Sequence, residues 1–520
     1  MDSEPPWNSW YKAALASLAL RLAIQPRCKA VPGGPDWPSI ESWARLNEST
    51  EGRLLRPPPP GAVCHPGQAT YNAAECPLVR SAWSIYEFHG ADPVSSALNT
   101  WNNDSCLPEA ADPCRNRGYP VVVINATTSQ HVKLGVDFAR KYNVRLIVKS
   151  TGHDFLGRSV APNSLSIWAH HLKGMTFHDS KLDPLGQVVV GGQVETISGS
   201  SHYGTAADQV LEMEIVTPNG DMVVANECRY RDLFWAMRGG GASTFGIMTS
   251  VTIKTFPSPR MNSLDLGITT TNLQNPYIFD MVAYVLSQFL TLGDRGMTGY
   301  STFFSSLPNP LNGGLTTIAG LTMTAALLNS SSLEITTWPG RFEILSIPDA
   351  YKPFYDWYIL HKDRTVAGTD GLLGSRFLGA EAFRRFAYGG AGAVFMVGGK
   401  GVRGARPRGG GHVISPAWRK SSVLAETFLT FPPLKPAARR AALNHLNYNI
   451  EALRQLDPDS GAYQNEVHPE EPDWKNQFWG SNYERLAFIK KLVDPEDVLW
   501  CIPYVGNELW HQADSQLCRR

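Results

Sequence analysis

The residues from Lys149 to Ser159 read KSTGHDFLGRS and place a histidine beside an acid in a loop bounded by glycines. An imidazole and a carboxylate can bind a metal or carry protons, and glycine lets the backbone approach a ligand closely. In one interpretation the loop is a polar turn, in which Asp154 binds its own backbone and His153 is an ordinary surface residue.

A second interpretation is the metal centre of a hydrolase, which would combine His153 and Asp154 with the nearby His170, His171 and His178. Against it, the run around His170 and His171 resembles a strand, which would point these two side chains to opposite faces. The chain also has no carboxylate-rich partner motif. In a third interpretation the backbone N–H groups of the loop face a pyrophosphate, and Arg158 and Ser159 add donors. Only this one uses the whole string.

The elements on either side of the loop favour a ligand site. YPVVVINA is rich in β-formers, TSQHVKLGVDFARKY repeats Leu134, Phe138 and Tyr142 along one helical face, and NVRLIVKS is a second apolar strand. Thr128 or Ser129 stands where a helix N-cap is expected. This pattern predicts a β-α-β unit, and the loop follows its second strand at the edge where open α/β sheets bind ligands.

Further strands and helices follow in sequence. LSIWAHHLKGMTFH and GQVVVGG are rich in β-formers, and AADQVLEMEIVTPNGDMVVA alternates like a hairpin with its turn at Pro218, Asn219 and Gly220. RDLFWAMRGGGASTFGIMTSVTIKTFP predicts a helix, a glycine-rich loop and a strand. The stretch GARPRGGG, from Gly404 to Gly411, has the composition of a mobile, solvated basic linker rather than a phosphate site. From Ser258 to about Lys435 the pattern mixes helices and strands without a clear order.

The composition is that of a loop-rich globular protein, with 43% hydrophobic and 18% charged residues, 46 Gly and 37 Pro among 520 residues. Lys plus Arg and Asp plus Glu are equal at 47 each, so no global charge would hold nucleic acid or an anionic membrane. We therefore expect a small-molecule partner, no nucleic acid, no membrane and a monomeric protein.

The amino-terminal region has features of a secreted protein. Five of the eight cysteines (Cys28, Cys64, Cys76, Cys106 and Cys114) precede residue 115, which predicts disulfides at this end with open connectivity. Asn47, Asn103, Asn125 and Asn329 begin glycosylation sequons. The apolar stretch from Ala13 to Ile24 is too short to span a bilayer, and a secretory signal and an amphipathic helix both remain open for it. Without a functional signal the protein would be cytoplasmic.

Several ordered blocks of the chain resemble one family. RLIVKSTGHDFLGRSVAPNSLSIWAHHLKG, YGTAADQVLEMEIVTPNG and DLFWAMRGGGASTFGIMTSVTIKTFP are similar to the FAD domain of the vanillyl-alcohol oxidase superfamily, in its berberine bridge enzyme-like branch and particularly its fungal members. ISPAWRKS, SGAYQNEVHPEEPDW and FWGSNYERLAFIKKLVDPEDVLWC resemble the carboxyl-terminal segment of that branch, and GPDWPSIESWARLN resembles its beginning.

The resemblance implies an α+β fold, with a PCMH-type FAD-binding domain and a substrate domain made of an antiparallel sheet and flanking helices. We place a cysteine-containing region at residues 1–115, a shortened FAD-binding domain at 116–257 and the substrate domain at 258–455. Residues 456–520 would form the berberine bridge enzyme-like segment that completes the FAD site.

The resemblance also implies how FAD is held. His153 matches the histidine that forms a covalent bond to a ring methyl of the flavin. Residues matching the diphosphate loop are Gly152, Asp154, Gly157, Arg158 and Ser159; those near the flavin in relatives are Ala206, Ala207 and Asp208; and those of the glycine-rich loop are Gly239, Gly240, Gly241 and Gly246. Asn482 and Tyr483 match residues close to the flavin, although a helix cap explains them equally well.

The family resemblance implies an oxidase that transfers hydride from an alcohol, phenol or amine to flavin and then to dioxygen. AYQNE matches a family string whose last tyrosine often acts as the base, so Tyr463 and Glu466 are the catalytic candidates, with a surface acid as the alternative for Glu466. We expect a role in fungal secondary metabolism; the alternatives are an oligosaccharide oxidase and a catalytically degenerate secreted glycoprotein.

The chain departs from the family pattern after VVVGGQV. The usual helix and second glycine-rich loop are missing, and ETISGSSHYG leads directly to the following block. Because no cysteine lies between Cys114 and Cys228, a second flavin bond of the usual thioether kind is excluded. Either the short segment covers the cofactor, or the chain is a degenerate version of an active ancestor.

Overall fold

The described part of the protein contains four β-sheets with helices packed against them. The computed structural model describes residues 28–109, 111–115, 117–152, 154–174, 200–254, 256, 260–275, 277–308, 315–328, 352–353, 370–384, 392–513 and 516–520. The predicted amino-terminal segment from Ala13 to Ile24 and the predicted flavin ligand His153 lie outside these ranges, as do His178 and the strand GQVVVGG. No helix within them is both long and apolar enough to cross a bilayer.

The first sheet carries the predicted β-α-β unit. Its strands, in spatial order, are Leu54–Leu55, Val122–Asn125, Ser164–Trp168 and Arg145–Lys149, and the last three are parallel. Helix Ser129–Lys141 connects the second strand to the fourth, and its N-cap is Thr128, whose hydroxyl accepts a hydrogen bond from the backbone N–H of His131. The loop that begins at residue 150 therefore leaves the carboxyl end of a buried parallel strand, as predicted.

One local prediction in this region is wrong. His170 and His171 belong to a short 3-10 helix, Ala169–His171, rather than to a strand. The His171 ring packs edge-on against Trp168 at a centroid distance of 4.5 Å, and its Nδ1 lies 2.7 Å from the Asn125 side-chain oxygen. The strand ends at Trp168 because the following residues satisfy their hydrogen bonds locally.

The second sheet contains the predicted hairpin. Strand Val210–Val216 pairs antiparallel with Met222–Asn226 and with Ile247–Ile253. Gly220 lies in the turn with a φ of +83°, which only glycine adopts readily. Helix Arg231–Met237 and the glycine-rich loop precede the third strand, in the predicted order.

The third sheet has seven strands, and every adjacent pair is antiparallel. In spatial order they are Lys352–Pro353, Arg260–Thr270, Thr317–Leu328, Met297–Pro308, Gly392–Met396, Val423–Phe431 and Asp370–Leu378. Helices Tyr277–Asp294, Ala380–Arg384 and Pro436–Leu456 pack against it and bury residues such as Phe289 and Leu446. This is the predicted antiparallel sheet with flanking helices, and the fold class is α+β as expected.

The carboxyl-terminal segment returns to the second sheet. Helices Trp474–Trp479 and Tyr483–Val493 form a core with that sheet, in which Phe234, Phe245 and Trp479 are almost completely buried. The last two strands, Trp510–Ala513 and Gln516–Arg519, form a small hairpin. The remaining α-helices are Ile40–Ser49, Cys76–Ala82, Tyr86–Ala91, Ser200–Tyr203, Ala206–Gln209, Lys400–Gly404 and Ala417–Lys420, and the remaining 3-10 helices are Pro60–Cys64, Asn99–Asn102, Gly480–Asn482 and Asn507–Leu509.

Three disulfides connect described cysteines. Cys64–Cys76 and Cys106–Cys114 confirm the prediction of disulfides in the amino-terminal region. The third bond, Cys28–Cys518, was not anticipated, because it joins the two ends of the described chain. The Lys29 backbone N–H donates to the Leu517 carbonyl at 2.8 Å, so backbone pairing brings these two cysteines together.

The basic stretch from Gly404 to Gly411 is exposed or half-buried, in keeping with the expected solvation, but it is held to the protein at defined points. The buried guanidinium of Arg238 donates to the carbonyls of Arg408 and Gly411 at 3.0 and 2.5 Å. The Arg408 side chain also forms an ion pair with Glu227. These contacts hold the stretch against the end of helix Arg231–Met237.

A pair of acids connects the amino-terminal region to the seven-stranded sheet and makes stability depend on pH. Asp370 is fully buried, and its Oδ1 accepts a hydrogen bond from the Thr100 backbone N–H at 2.8 Å. Burial, together with the hydrogen bond and charge of Asp104, raises the pKa of Asp370 to about 8, although the hydrogen bond from Thr100 and the charge of Arg439 act in the opposite direction. The folded protein therefore keeps a proton that the unfolded chain loses near a pH of about 3.9.

Because the folded state binds the additional proton, the free energy of unfolding should fall as pH rises from about 4 to about 8. Asp370→Asn cannot ionise, so we expect its melting temperature to exceed that of the unchanged protein by a few degrees at the upper end of this range, and by less at the lower end. Thermal unfolding in a series of buffers measures this difference, with exposed Asp459→Asn as the control. A constant difference across the range would contradict the proposed ionisation.

Candidate functional site

The loop after the first parallel unit packs closely against the amino-terminal region. The Gly152 carbonyl accepts hydrogen bonds from the Ala97 N–H at 3.0 Å and the Ser96 hydroxyl at 3.3 Å. Gly157 has a φ of +74°, and a Cβ atom at this position would lie 2.6 Å from the Trp101 indole. Glycine is therefore required at residue 157 both for its backbone conformation and for this contact.

Asp154 organises the same loop from within. Its carboxylate accepts hydrogen bonds from the backbone N–H groups of Leu156 and Arg158, and it forms an ion pair with the Arg158 guanidinium at 2.7 Å. Burial alone would lower the pKa of Arg158, but the charges of Asp154 and Tyr504 outweigh it and raise that pKa. The polar-turn interpretation is thus correct for the backbone contacts of Asp154, and Arg158 is a permanent, largely buried cation.

Arg158 links this loop to the carboxyl-terminal string AYQNE. Its Nη1 donates to the Asn465 side-chain oxygen at 3.0 Å and to the Tyr504 hydroxyl. The Asn465 amide in turn donates to the Tyr463 hydroxyl at 2.9 Å. Three predicted site residues, Asp154, Arg158 and Tyr463, are therefore joined through Asn465 in one hydrogen-bonded chain.

Glu466, the second catalytic candidate, lies beside another acid. Its backbone N–H donates to the Tyr463 carbonyl at 2.9 Å, which closes a turn in the string. Glu426 lies on strand Val423–Phe431, and its pKa is raised well above the ordinary value by burial, by the charge of Glu466 and by a hydrogen bond to Glu466. The surface-acid alternative for Glu466 does not account for this contact.

Asp208 anchors the segment from Ala206 to Asp208. It caps helix Ala206–Gln209 by bonding with Thr205, and its carboxylate contacts His412 at 2.6 Å and Arg419 at 3.1 Å. Although burial favours the neutral acid, the hydrogen bonds and charges of His412 and Arg419 hold the pKa of Asp208 well below its usual range. Ala207 is fully buried next to it.

The glycine-rich loop packs against the same tyrosine that Arg158 contacts. Gly241 has a φ of +110°, and a Cβ atom there would overlap the Tyr504 ring. The Gly239 carbonyl accepts hydrogen bonds from Gln464 at 2.7 Å and from the Trp479 indole at 2.9 Å. Atoms of Ala236 and Phe245 crowd Gly240, and Ile215 crowds Gly246. The two predicted cofactor loops therefore meet at Tyr504 and the AYQNE string.

Asn482 and Tyr483 are held by other contacts. The Asn482 side chain makes no cap bond to its helix and instead donates to the carbonyls of Val413 and Ile414 at 3.4 and 3.3 Å. The Tyr483 hydroxyl donates to Glu508 at 3.0 Å. Burial, followed by the charge of Glu508, raises the pKa of Tyr483. A simple helix cap thus does not explain Asn482.

A cavity of about 460 Å³ lies beside the predicted diphosphate loop. Gly157 and Arg158 are the predicted site residues that line it, together with Trp101, Arg145 and Cys501. Ser159, the last residue of the string, is partly buried.

Sequence reasoning missed several residues of this neighbourhood. Asn465 and Gln464 lie inside the AYQNE string and could have been found there. Glu426 had a weaker signal, an acid within the apolar strand-like run SSVLAETF. Tyr504 had none, because its contacts with Arg158 and Gly241 depend on the packing of distant segments.

Comparison with known proteins agrees with this arrangement. The family model described as "Berberine and berberine like" matches residues 462–501, which include Tyr463, Glu466, Asn482 and Tyr483. "VAO-type flavoprotein oxidase VAO615" of Thermothelomyces thermophilus is 29% identical over 97% of this chain and 98% of its own length. "FAD-linked oxidoreductase patO" of Aspergillus clavatus is 28% identical, with coverages of 95% and 94%.

A solved structure of a VAO-type flavoprotein, MtVAO615 from Myceliophthora thermophila C1, superposes with a TM-score of 0.77 at 25% identity and covers 95% of this chain and all of its own. The fold is therefore similar to that of flavoproteins of the vanillyl-alcohol oxidase type. Its sequence is similar to that of FAD-linked oxidoreductases over nearly its whole length, and residues 462–501 match the berberine-like family model, in agreement with the resemblance of the sequence blocks.

Proposed function

We propose that this protein is an FAD-dependent oxidase that removes hydride from an alcohol, phenol or amine and passes the electrons to dioxygen. The observation that carries the proposal is the hydrogen-bonded chain from Asp154 through Arg158 and Asn465 to Tyr463. This chain joins the predicted cofactor loop to the predicted catalytic string, which are far apart in sequence.

The described residues fit a flavin dinucleotide. Arg158 supplies a largely buried cation, and the loops of Gly157 and Gly241 bring backbone close to the same region. Arg238 Nη1 and His412 Nδ1 are buried and have no hydrogen-bond partner among the described residues. Buried donors of this kind need an acceptor, and the diphosphate and ring carbonyls of FAD provide such acceptors.

In this proposal, bound FAD supplies the hydride acceptor, and the protein supplies orientation and proton transfer. The loop residues Gly152, Asp154, Gly157, Arg158 and Ser159 would hold the diphosphate. The Asn465 amide donates to the Tyr463 oxygen, which favours negative charge on that oxygen and orients it. Glu466, on the adjacent turn, would accept the substrate proton.

We infer that the short segment before Gly204 covers the cofactor in place of the missing helix and loop. The alignment with the Thermothelomyces protein extends over 577 residues while it covers 97% of this 520-residue chain, so it includes positions at which this chain has no residue. Helix Ser200–Tyr203 packs against Lys400–Gly404, where a Cβ atom on Gly401 would lie 2.8 Å from the Gly204 nitrogen. This packing fixes the position of the last residues of the segment, from Ser200 to Gly204.

The covalent bond through His153 gives the most direct test. We expect the purified protein to be yellow and to keep its colour after acid precipitation, because a covalent bond survives denaturation. His153→Ala should release the flavin under the same conditions, and His170→Ala, a nearby histidine with no proposed bond, should retain it. For each variant, flavin absorbance in the pellet measures the retained cofactor, and absorbance in the supernatant measures the released cofactor.

The outcomes separate three claims. Flavin retained by denatured His153→Ala would overturn the covalent bond but leave the oxidase. A colourless protein that takes up no added FAD would overturn the oxidase and favour a non-catalytic member of the fold.

The substrate proposed is a small molecule of fungal secondary metabolism. The names of curated relatives support it, for example "Bifunctional decalin synthase calF" of Penicillium decumbens, 28% identical over 98% of this chain. A peroxide assay across aromatic alcohols, amines and oligosaccharides tests the choice, and peroxide from oligosaccharides alone would overturn it.

We also propose that the protein is a secreted, glycosylated monomer. Three disulfides among the described cysteines support an oxidising compartment. Asn103, in the predicted sequon, is exposed. An unchanged gel mobility after glycosidase treatment of protein from a fungal host would contradict glycosylation.

A further inference from the structure

The cavity beside the predicted diphosphate loop extends away from the place where that loop begins. Arg145, which lines the cavity, is the first residue of strand Arg145–Lys149, whereas the loop leaves the other end of the strand at residue 150. Because a strand rises about 3.3 Å per residue, the Cα atoms at its two ends lie roughly 13 Å apart. The cavity volume of about 460 Å³ is that of a small-molecule site. This space can therefore hold a ligand of its own.

The cavity has aromatic walls from two distant segments. Trp101 belongs to the amino-terminal region and packs against Gly157, while Trp500 belongs to the carboxyl-terminal segment and is buried. The buried side chains of Ile147 and Val160 add aliphatic surface. Flat indole rings and aliphatic groups of this kind favour a planar, apolar ligand body.

Most charged groups of the cavity already have partners. Arg158 and Arg439 each form an ion pair with an acid, and the Asp104 carboxylate accepts a hydrogen bond from a backbone N–H. Arg145 forms no ion pair with a described residue. Among the described residues that line the cavity, it is therefore the cation that remains available to an anionic ligand.

The contacts of Arg145 leave one edge of its guanidinium unused. Nη1 donates to the Gln512 side-chain oxygen at 3.0 Å, and the group lies over the Trp500 ring at 5.4 Å from the centroid. These two contacts fix its plane. Nε is buried without a hydrogen-bond partner in the part of the chain that the structure describes, and no described residue accepts a hydrogen bond from Nη2. Nε and Nη2 together form the edge that can bind both oxygens of one carboxylate.

We propose that this cavity binds a small aromatic carboxylate, whose two oxygens bind the Nε and Nη2 edge of Arg145 and whose ring lies against Trp101 and Trp500. Such a site goes beyond the proposed oxidation and does not depend on it, because Arg145 is not among the residues proposed to hold FAD. The carboxylate satisfies the unused donors, and the indole rings bury the apolar body of the ligand.

Calorimetric titration of the purified protein with 2-naphthoate tests the site, and 2-naphthamide is the neutral analogue of nearly the same shape. We expect 2-naphthoate to bind, and the amide to bind at least about 10-fold more weakly, because only the carboxylate forms charge-assisted hydrogen bonds. Arg145→Met should weaken the binding of 2-naphthoate by about 10- to 100-fold and change the binding of the amide much less.

Two further variants control for charge and for folding. Arg440→Met removes an exposed arginine that does not line the cavity, so it should leave both affinities unchanged. Arg145→Lys keeps the charge but not the planar edge, so its affinity for 2-naphthoate should lie between that of Arg145→Met and that of the unchanged protein. Circular dichroism checks the folding of each variant, and Arg145→Lys carries the test if Arg145→Met does not fold.

Several results would overturn the site. These are no binding of 2-naphthoate at millimolar concentration, equal affinities for the acid and the amide, and an unchanged affinity in folded Arg145→Met. Displacement of the probe by acetate or inorganic phosphate at equal concentration would show an anion site without aromatic recognition and would overturn the ligand class. Displacement by ADP, which carries the diphosphate and adenine of FAD, would assign the cavity to the cofactor and overturn a separate site.

Failure of this site and failure of the proposed function are distinguishable. A colourless protein that binds 2-naphthoate through Arg145 would overturn the oxidase and support the site. A yellow protein in which Arg145→Met leaves the affinity for 2-naphthoate unchanged would overturn the site and leave the oxidase.

Discussion

Arg158→Met is expected to release most of the non-covalently held cofactor and to reduce the free energy of unfolding by about 3–5 kcal/mol. The reason is that Arg158 is the common partner of Asp154, Asn465 and Tyr504. Its loss leaves the largely buried Asp154 without an opposite charge and disconnects the cofactor loop from the AYQNE string. Urea unfolding measures the stability, and flavin absorbance after gel filtration measures retention.

Arg145→Met is the matched control. Arg145 lines the same cavity but has no ion pair with a described residue, and its side chain donates to Gln512 at 3.0 Å. We expect a loss of about 1 kcal/mol or less and normal flavin content. Arg158→Lys should have a free energy of unfolding and a flavin content between those of Arg158→Met and the unchanged protein. Lysine keeps the charge but cannot reach several acceptors with one planar group. Equal effects of Arg145→Met and Arg158→Met would show that burial of any arginine there, rather than this network, holds the site.

The second large effect is expected for Glu471→Gln. Glu471 is completely buried and contacts Arg376 at 2.5 Å and Arg454 at 3.1 Å. Arg376 is equally buried, and burial lowers its pKa even in the presence of Glu471. Removing the carboxylate therefore leaves a buried guanidinium without compensation, which should cost about 3–5 kcal/mol.

Glu451→Gln isolates the effect of burial, because Glu451 also forms an ion pair with Arg454 but is about half exposed. Such a pair is worth about 1 kcal/mol or less, so this variant should remain close to the unchanged protein. Thermal unfolding and resistance to chymotrypsin compare the stability of Glu451→Gln with that of Glu471→Gln. Since Glu471 lies five residues after the end of the AYQNE string, loosening of the string in Glu471→Gln should also weaken flavin binding. Similar stabilities of the two variants would contradict the importance of the buried contact.

Local sequence patterns determined a large part of this protein. The β-α-β unit, the Thr128 cap, the hairpin turn at Gly220 and the helix before the glycine-rich loop all depend on residues close in sequence, and all were predicted. The reason is that caps, turns and the alternation of apolar residues act over a few residues. The family resemblance followed from blocks of this kind in their order.

Local patterns were insufficient where several conformations satisfy the same composition. His170 and His171 have a strand-like sequence context but form a 3-10 turn, because Trp168 and Asn125 bind the His171 ring. GARPRGGG has the composition of a linker but is anchored by Arg238. In each case a side chain from another element decides the conformation.

The sequence by itself determined which residues are available for chemistry: the GHDFLGRS loop, Tyr463 and Glu466. Only the tertiary structure decided which of them act together. The contacts of Arg158 with Asn465 and Tyr504 and the Cys28–Cys518 bond join segments that no local periodicity relates. They form because the strands and the carboxyl-terminal helices bury their apolar faces against one another, and that packing sets which polar side chains meet out of water.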